Sequence, residues 1–464
     1  MSIKDFVKQV HAKKIDVVKN TKEALCALEG INSKHHFMTV VSSDLALAQA
    51  NAVAKNPKGR LAGLPITVKD CILVKGVEST ASSAVLKGYV PLFSATVIDR
   101  LIKEGAIILG KTVQDEFGFG TFCLNVGKGI EVPTHPIDPT HVCGGSSGGS
   151  GGITRAANFV HASIAETTGG SIESPAAFCG VVGMCPTWGT VSRYGLIDYA
   201  SSLDKIGPMA KSVEDAKLVW EVMIGQDEKD STSVKHPQEK TALKTVGVIR
   251  ALVDKADPEV KQRIKEAEEL FKKQGIKLID IDLPITERYA IETYYVLALA
   301  EASTNLAKYC GMRYGATEKL EGDFNEYFST VREKYFGAEA KRRILLGTFA
   351  RMAGHRDALY IQAAKVRRLI INEYKKEFQK CQVLLSPTMP ITAPKRSDIE
   401  KLTPLQHYAM DLMTVGPNLA GIPHISVPVG ESKGLPVGAM LMADHFEEHV
   451  LFDAATIIEK KDTN

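Results

Sequence analysis

The residues in this chain best equipped for chemistry are serines set among glycines. Residues 144–152 hold six glycines and three serines in nine positions, and a second Gly-Gly-Ser, ending at Ser171, lies shortly before Pro175. Glycine permits φ > 0 and lets a main chain approach a ligand closely, and it weakens helices and strands elsewhere. Its concentration here points to the floor of an active site. A flexible Gly/Ser linker would need polar, structureless flanks, whereas residues 156–164 and 175–182 are apolar. The first block fits Gly-x-Ser-x-Gly in three frames, around Ser146, Ser147 and Ser150, the pattern of a nucleophile elbow. An elbow follows directly on a buried strand, but Pro133-Thr-His-Pro136 and Asp138-Pro-Thr are turn formers. A phosphate-cradling loop would end in Gly-Lys-Ser or Gly-Lys-Thr, and this one does not. Cys143 and Cys179 flank the blocks, yet no histidine stands at a partner spacing, so both read as small apolar residues.

The rest of the composition narrows the field. A net charge of +3 over 464 residues carries no basic stripe for nucleic acid, though a partner could supply one. No apolar run approaches the length of a membrane span, and the first residues mix acids and bases without the apolar core of a signal peptide. That points to the cytosol and to no membrane partner. The eight cysteines are scattered, without CxxC or Cys/His clustering, so reduced thiols and no metal site are expected.

The elements that must position these residues follow from pattern. Residues 1–60 read as a helical covering layer, with Ser2 capping a helix through His11 and Ser43-Asp44 opening another. Residues 64–69 are a short β-branched strand that places Lys69 at its end. Ser94 is read as the cap of a helix stopped by Gly105, and residues 106–110 as a buried strand. Ser212 with Asp215 marks a helix through Met223. Residues 225–240 are the most polar stretch, an exposed loop and the only candidate internal boundary. Beyond it come a strand, a charged helix at 258–274 and another strand, then a helical stretch over 285–374 interrupted near 311–323. Three strands, starting near Val383, His424 and Pro436, and a closing helix from His445 complete an α/β chain without internal repeats.

Longer phrases carry a specific resemblance. GLPITVKD, GGSSGGS, TGGSI, PAAFCGVVG, PTxGxVSRYG and SLDKIGPM occur in order, and together they resemble the amidase signature family over roughly residues 63–428. The resemblance implies one domain over 1–464, with a large mixed central sheet covered by helices on both faces. It also implies a Ser-Ser-Lys triad. Ser171 would be the nucleophile, Ser147, with a cis peptide before it, the bridging serine, and Lys69 the base. A serine hydroxyl needs a neighbouring base, and a lysine is one only when neutral, so burial is expected to depress the Lys69 pKa. Backbone N–H groups of Thr168, Gly169, Gly170 and Ser171 would form the oxyanion hole.

Within the family, YYVLALAEASTNLAKYCGMRYG, AKRRILLGTFA and PNLAGIPHISVPVG are similar to the glutaminase subunits of tRNA-dependent amidotransferases. Such subunits release ammonia from glutamine for a partner that amidates a mischarged Glu-tRNA or Asp-tRNA. The likeness implies B-type and C-type partner subunits in a heterotrimer, no cofactor in this chain, and ATP and Mg²⁺ on the partner. Arg343 would hold the glutamine carboxylate as a two-pronged fork, Asp411 its α-amino group, and Tyr294 would line the pocket. A stand-alone amidase acting on a small amide and a non-catalytic scaffold are the alternatives.

The chain departs from the family's wording at three places. Where SDTGGSIR is usual, Thr167 replaces the aspartate and Glu173 the arginine, which reads as a structural ion pair lost as a unit. Thr121-Phe-Cys-Leu-Asn125 stands in place of a usual STEN phrase. These departures suggest a divergent archaeal or organellar version, the latter placing the chain in the mitochondrial matrix.

Overall fold

Strand residues alternate between two buried clusters, so both faces of the sheet are covered. Val383 and Leu385 join one cluster and Leu384 the other; Ala439, Leu441 and Ala443 alternate with Met440 and Met442 in the same way. Side chains on a strand point to opposite faces with a period of two, so each cluster is the interior between the sheet and one layer of helices. The computed structural model describes residues 1–237 and 241–460. Among them are eleven strands: β1 (Met38–Val41), β2 (Pro65–Lys69), β3 (Ile107–Thr112), β4 (Ala162–Thr167), β5 (Val182–Cys185), β6 (Lys205–Ala210), β7 (Thr245–Ile249), β8 (Lys277–Ile281), β9 (Val383–Pro387), β10 (His424–Ser432) and β11 (Leu435–Ala443). They form one mixed sheet in the order β1-β3-β2-β4-β6-β5-β10-β11-β9-β7-β8. β2 runs parallel to β3 and β4, and β7 parallel to β8 and β9; the remaining pairs are antiparallel.

Most expected elements form where the pattern places them. Ser2 caps Ile3–His11 through the Asp5 N–H, and Ser212 caps Val213–Met223 through that of Asp215. Three expectations are corrected. The N-terminal layer contains β1, an edge strand antiparallel to β3, between two of its helices. Ser94 does not cap the helix Thr96–Lys103; Ala95 holds that position, and Ser94 Oγ accepts the Lys75 N–H instead. The first glycine block is not a loop throughout, because Gly148–Ala156 is a helix. Its glycines allow close packing: a Cβ at Gly149 would lie 2.5 Å from the Phe37 carbonyl oxygen, and one at Gly152 would lie 2.2 Å from the Phe37 ring. Residues 225–237 are an irregular, mostly exposed passage between β6 with its following helix and β7. Residues 238–240 of the expected loop lie outside the described residues.

Candidate active site

β2 is buried along its whole length and ends at Lys69, whose side chain is fully buried. Its Nζ donates to Ser146 Oγ at 2.7 Å, to the Glu166 carbonyl at 2.9 Å and to Glu166 Oε2 at 2.8 Å. The serine beside the lysine is therefore Ser146, not Ser147 as expected. Ser147 turns away, its hydroxyl donating to the Glu166 carbonyl at 3.1 Å and its N–H to the Ser171 carbonyl at 3.2 Å. The cis peptide expected before Ser147 lies one bond earlier, at Gly145–Ser146. The physical reason for the shift is the helix at Gly148–Ala156: Ser147 is its first flanking residue, so its backbone has already begun to turn into the helix while Ser146 faces the sheet.

The lysine's protonation also differs from expectation. Burial alone would push the ammonium down, but the Glu166 carboxylate against it outweighs that and holds Lys69 above its ordinary value. Sequence patterning misses Glu166, although the chain holds one signal for it: in register with SDTGGSIR it stands at the serine's position, while its pairing with Lys69 is made across the β2–β4 contact.

β4 delivers the second block. The chain leaves Thr167 through Thr168-Gly169-Gly170 to Ser171, and the helix Glu173–Cys179 starts two residues later. Thr167 Oγ1 accepts the N–H groups of Gly170 and Ser171 at 3.1 and 2.9 Å. Of the four N–H groups expected in the oxyanion hole, those of Thr168 and Gly169 have no acceptor within the described chain. Gly169 lies beneath Tyr294: a Cβ there would come 2.4 Å from the Tyr294 Cζ, so the loop can sit under that ring only as glycine.

Ser171 opens onto a small cleft that Tyr294, Tyr295, Arg343 and Asp411 also line. The three pocket residues expected from sequence thus share one cleft with the nucleophile candidate. Arg343 is buried among four aromatic rings, those of Phe119, Tyr199, Tyr295 and Tyr408, with centroids 5.0 to 5.8 Å from its guanidinium carbon. Its Nε donates to Glu339 at 2.8 Å and one Nη to the Tyr199 hydroxyl at 2.7 Å. Two prongs of the expected fork are thereby engaged, and Nη2 has no acceptor among the described residues. Asp411 accepts the hydroxyls of Thr121 at 2.8 Å and Tyr295 at 2.5 Å. Burial pushes its carboxyl up to about 6 against the pull of those hydroxyls and Arg343. Sequence patterning does not single out Thr121, Tyr199 or Tyr295; Thr121 comes from the stretch that departs from the family's wording.

A family model described as Amidase matches residues 19–452. The chain belongs to the amidase family. It is 40% identical to the A-type subunit of the glutamyl-tRNA(Gln) amidotransferase from Caldanaerobacter subterraneus subsp. tengcongensis, over 99% of this chain and 96% of that protein. It is 45% identical to the protein of the same name from Archaeoglobus fulgidus, over 91% of each chain. The solved structure of the corresponding Thermotoga maritima protein superposes with a TM-score of 0.81 at 33% identity, covering 99% of this chain and 94% of that one. A peptide amidase from Stenotrophomonas maltophilia has a TM-score of 0.81 at 25% identity, covering 99% and 96%.

The layer below the nucleophile loop holds an ion pair of its own, built around Glu173. Glu173 is buried and accepts from the Thr167 hydroxyl at 2.8 Å, Asn418 at 2.7 Å and its neighbour Ile172 N–H at 3.1 Å, with His424 Nε2 at 2.5 Å. Lys205 stands opposite Thr167 in the β4–β6 ladder. Burial opposes charge on Glu173, but His424 and Lys205 hold its carboxyl well below the usual carboxylate range. The acid of this chain's own pair sits at the head of the helix and the bases on β10 and β6. Donor atoms of Glu173, Cys185 and His424 lie within 4.8 Å of one another. Each carboxylate oxygen of Glu173 already has its partners, and Lys205 interacts with the same groups, so Glu173, His424 and Lys205 are arranged as an ion network with the Cys185 thiol beside it.

Proposed function

We propose that this chain is the glutaminase subunit of a tRNA-dependent amidotransferase, acting through Lys69, Ser146 and Ser171. The observation that carries the reading is a buried guanidinium and a buried carboxylate in the same cleft as Ser171. A free amino acid offers a carboxylate and an ammonium to such a pair, and its side-chain amide then reaches the serine. The names borne by relatives at 40 and 45% identity point to glutamyl-tRNA(Gln) as the acceptor, and the likeness to glutaminase subunits supports glutamine as the amino acid.

In this reading Ser171 Oγ attacks the carboxamide carbon while its proton passes to Ser146 and the Ser146 proton to Lys69. The N–H groups of Thr168 and Gly169 meet the developing oxyanion. Ammonia leaves with a proton returned along the same route, and water then releases glutamate from Ser171. Arg343 Nη2 and Asp411 orient the glutamine. B-type and C-type subunits complete the assembly, the partner that holds the mischarged tRNA uses ATP and Mg²⁺ to amidate it, and the assembly works in the cytosol. The test is glutamine hydrolysis by the chain purified with its partners. Ser171→Ala is expected to lower turnover by roughly a thousandfold or more, with the assembly intact by size exclusion. Undiminished hydrolysis would remove Ser171, and the reading, from consideration.

A second reading, a stand-alone amidase on small amides, is favoured by the peptide amidase's fold agreement over nearly the whole chain. Purification without any partner and turnover of simple amides in preference to glutamine would select it.

A further inference from the structure

The reaction sequence above leaves Glu166 without a part, although its carboxylate touches the base. Lys69 Nζ faces three acceptors: Ser146 Oγ, the Glu166 carbonyl and Glu166 Oε2. An ammonium has three N–H bonds and spends them all here, so in this form it cannot take a proton from Ser146. Oε2, 2.8 Å away, is the nearest group able to relieve it of one.

The other carboxylate oxygen extends the row. Glu166 Oε1 lies 2.8 Å from the Thr168 hydroxyl, which is also 2.8 Å from Asp204 Oδ1. One hydroxyl proton can serve only one of the two carboxyl groups, so the other must bring its own. Burial, reinforced by the Glu166 charge, raises Asp204 well above the carboxylate range, which makes Asp204 the protonated member. The order is then Asp204 to Thr168 to Glu166, with Lys69 donating into Glu166 from the far side. Both ends of the ion pair are shut off from water, Lys69 at 0% and Glu166 at 3% exposure.

We propose that Lys69 and Glu166 act as one base sharing a single proton, with Glu166 storing the lysine's proton while Lys69 takes that of Ser146. The protons balance as follows. Nζ gives one to Oε2, leaving an amine and a carboxylic acid. The amine then receives the Ser146 proton as Ser146 receives that of Ser171, whose oxygen bonds to the electrophile. The pair holds two protons until one is returned to the leaving group. Such a base is active with one proton and inactive with two, so it fails only when acid protonates Glu166 ahead of reaction. A lone buried lysine would instead have to be neutral from the start.

The groups facing the pair leave this contrast readable. Cys71 after β2, Cys123 in the loop after β3 and Cys185 on β5 are thiols pushed up by burial, hence neutral. Asp115, also after β3, is pushed up to about 6 by burial, and Asp204 precedes β6.

The inference rests on Lys69 as the base in the function proposed above, and its test avoids glutamine. The rate at which a fluorophosphonate labels Ser171, releasing fluoride, is followed against pH by intact mass on the full chain with its copurifying partners. In Glu166→Gln the acid limb is expected to rise by at least about one pH unit, a tenfold or greater loss below it, with labelling recovered at alkaline pH. Glu166→Asp keeps the wild-type limb. An unchanged or lowered limb in a folded Glu166→Gln overturns the proposal, as does an equal loss at every pH. Should that variant not fold, the wild-type limb decides: one below the Asp115 value of about 6 supports the shared base, and one above it overturns it. Normal labelling profiles without glutamine hydrolysis would remove the glutaminase reading and leave this one standing. Absence of labelling removes both.

Discussion

Ser146 and Ser147 are chemically identical neighbours, and one bond of backbone separates a group on the base from a group on the scaffold. Ser146 Oγ is the hydroxyl that Lys69 contacts, whereas Ser147 ties the two glycine blocks together through the Glu166 and Ser171 carbonyls. Ser146→Ala should therefore lower turnover by about 10²–10⁴-fold, the usual worth of a proton-transfer group, with little change in melting temperature. Ser147→Ala should instead cost roughly 1 kcal/mol of stability for a lost buried hydrogen bond and leave most of the turnover. Parallel kinetics and thermal melts of the two variants decide, and equal kinetic losses would count against the assignment. The motif itself announces two serines and cannot choose between them, since a run of glycines has no periodicity to fix a face. Lys69 is legible as the end of a β-branched strand, and Ser171 through the phrases shared with the amidase family. Glu166 is visible only as a departure from the serine of SDTGGSIR, and its meaning lies in what crosses from β2 to β4.

At the scale of elements, the nucleophile loop is held from below by the helix Glu173–Cys179 and by β10 and β6. His424 Nδ1 lies 3.0 Å from the Ile422 carbonyl and its Nε2 2.5 Å from Glu173 Oε1. An imidazolium against a carboxylate satisfies both contacts and agrees with a Glu173 carboxyl held low. Burial and Lys205 work against charge on His424, so the pair depends on Glu173 remaining ionised. Removing one partner of a buried pair leaves the other uncompensated, so Glu173→Gln should cost about 3–5 kcal/mol. The double variant Glu173→Gln/His424→Gln should cost less than the sum of the singles. Additive losses in denaturant titrations would show that the two residues do not act as a pair. The pH dependence has a definite sign. A carboxyl held below its unfolded value, about 4.3 for glutamate, contributes stability that is fully present above that value and lost as pH falls toward the folded one. The element pattern exposes most strands and caps, because period-two burial and capping serines are local signals. It misses β1, a short strand among helices, the strands β4, β5 and β6 with the helix Glu173–Cys179 around the second glycine block, and the helix Gly148–Ala156, whose glycines oppose helix formation and are tolerated for the closeness of Phe37 and Val113.

For the whole molecule, the polar passage after residue 225 raises the question of whether the chain is two units. Its first half is tied down, since Asp227 accepts the hydroxyls of Thr96 and Ser192, and Asp230 the Arg193 N–H. The stronger argument is the sheet. Strands before the passage and strands after it meet along β5 and β10, with Cys185 opposite His424, Met184 opposite Ile425 and Gly183 opposite Ser426. The helix Glu173–Cys179 also lies on β11 closely enough that a Cβ at Gly438 would come 2.7 Å from that of Ala177. The cleft is built from both sides, with Ser171 from the first part and Tyr294, Arg343 and Asp411 from the second. Backbone pairing and side-chain burial across such a seam are not released by one cut in an exposed connection. Trypsin nicking at Lys229 or Lys235, both exposed, should thus give two fragments that coelute on size exclusion. They should also retain fluorophosphonate labelling of Ser171 at close to the intact rate. Fragments that separate under native conditions, each still folded by circular dichroism, would make residues 225–237 a true domain boundary and would place the cleft between two bodies rather than within one sheet.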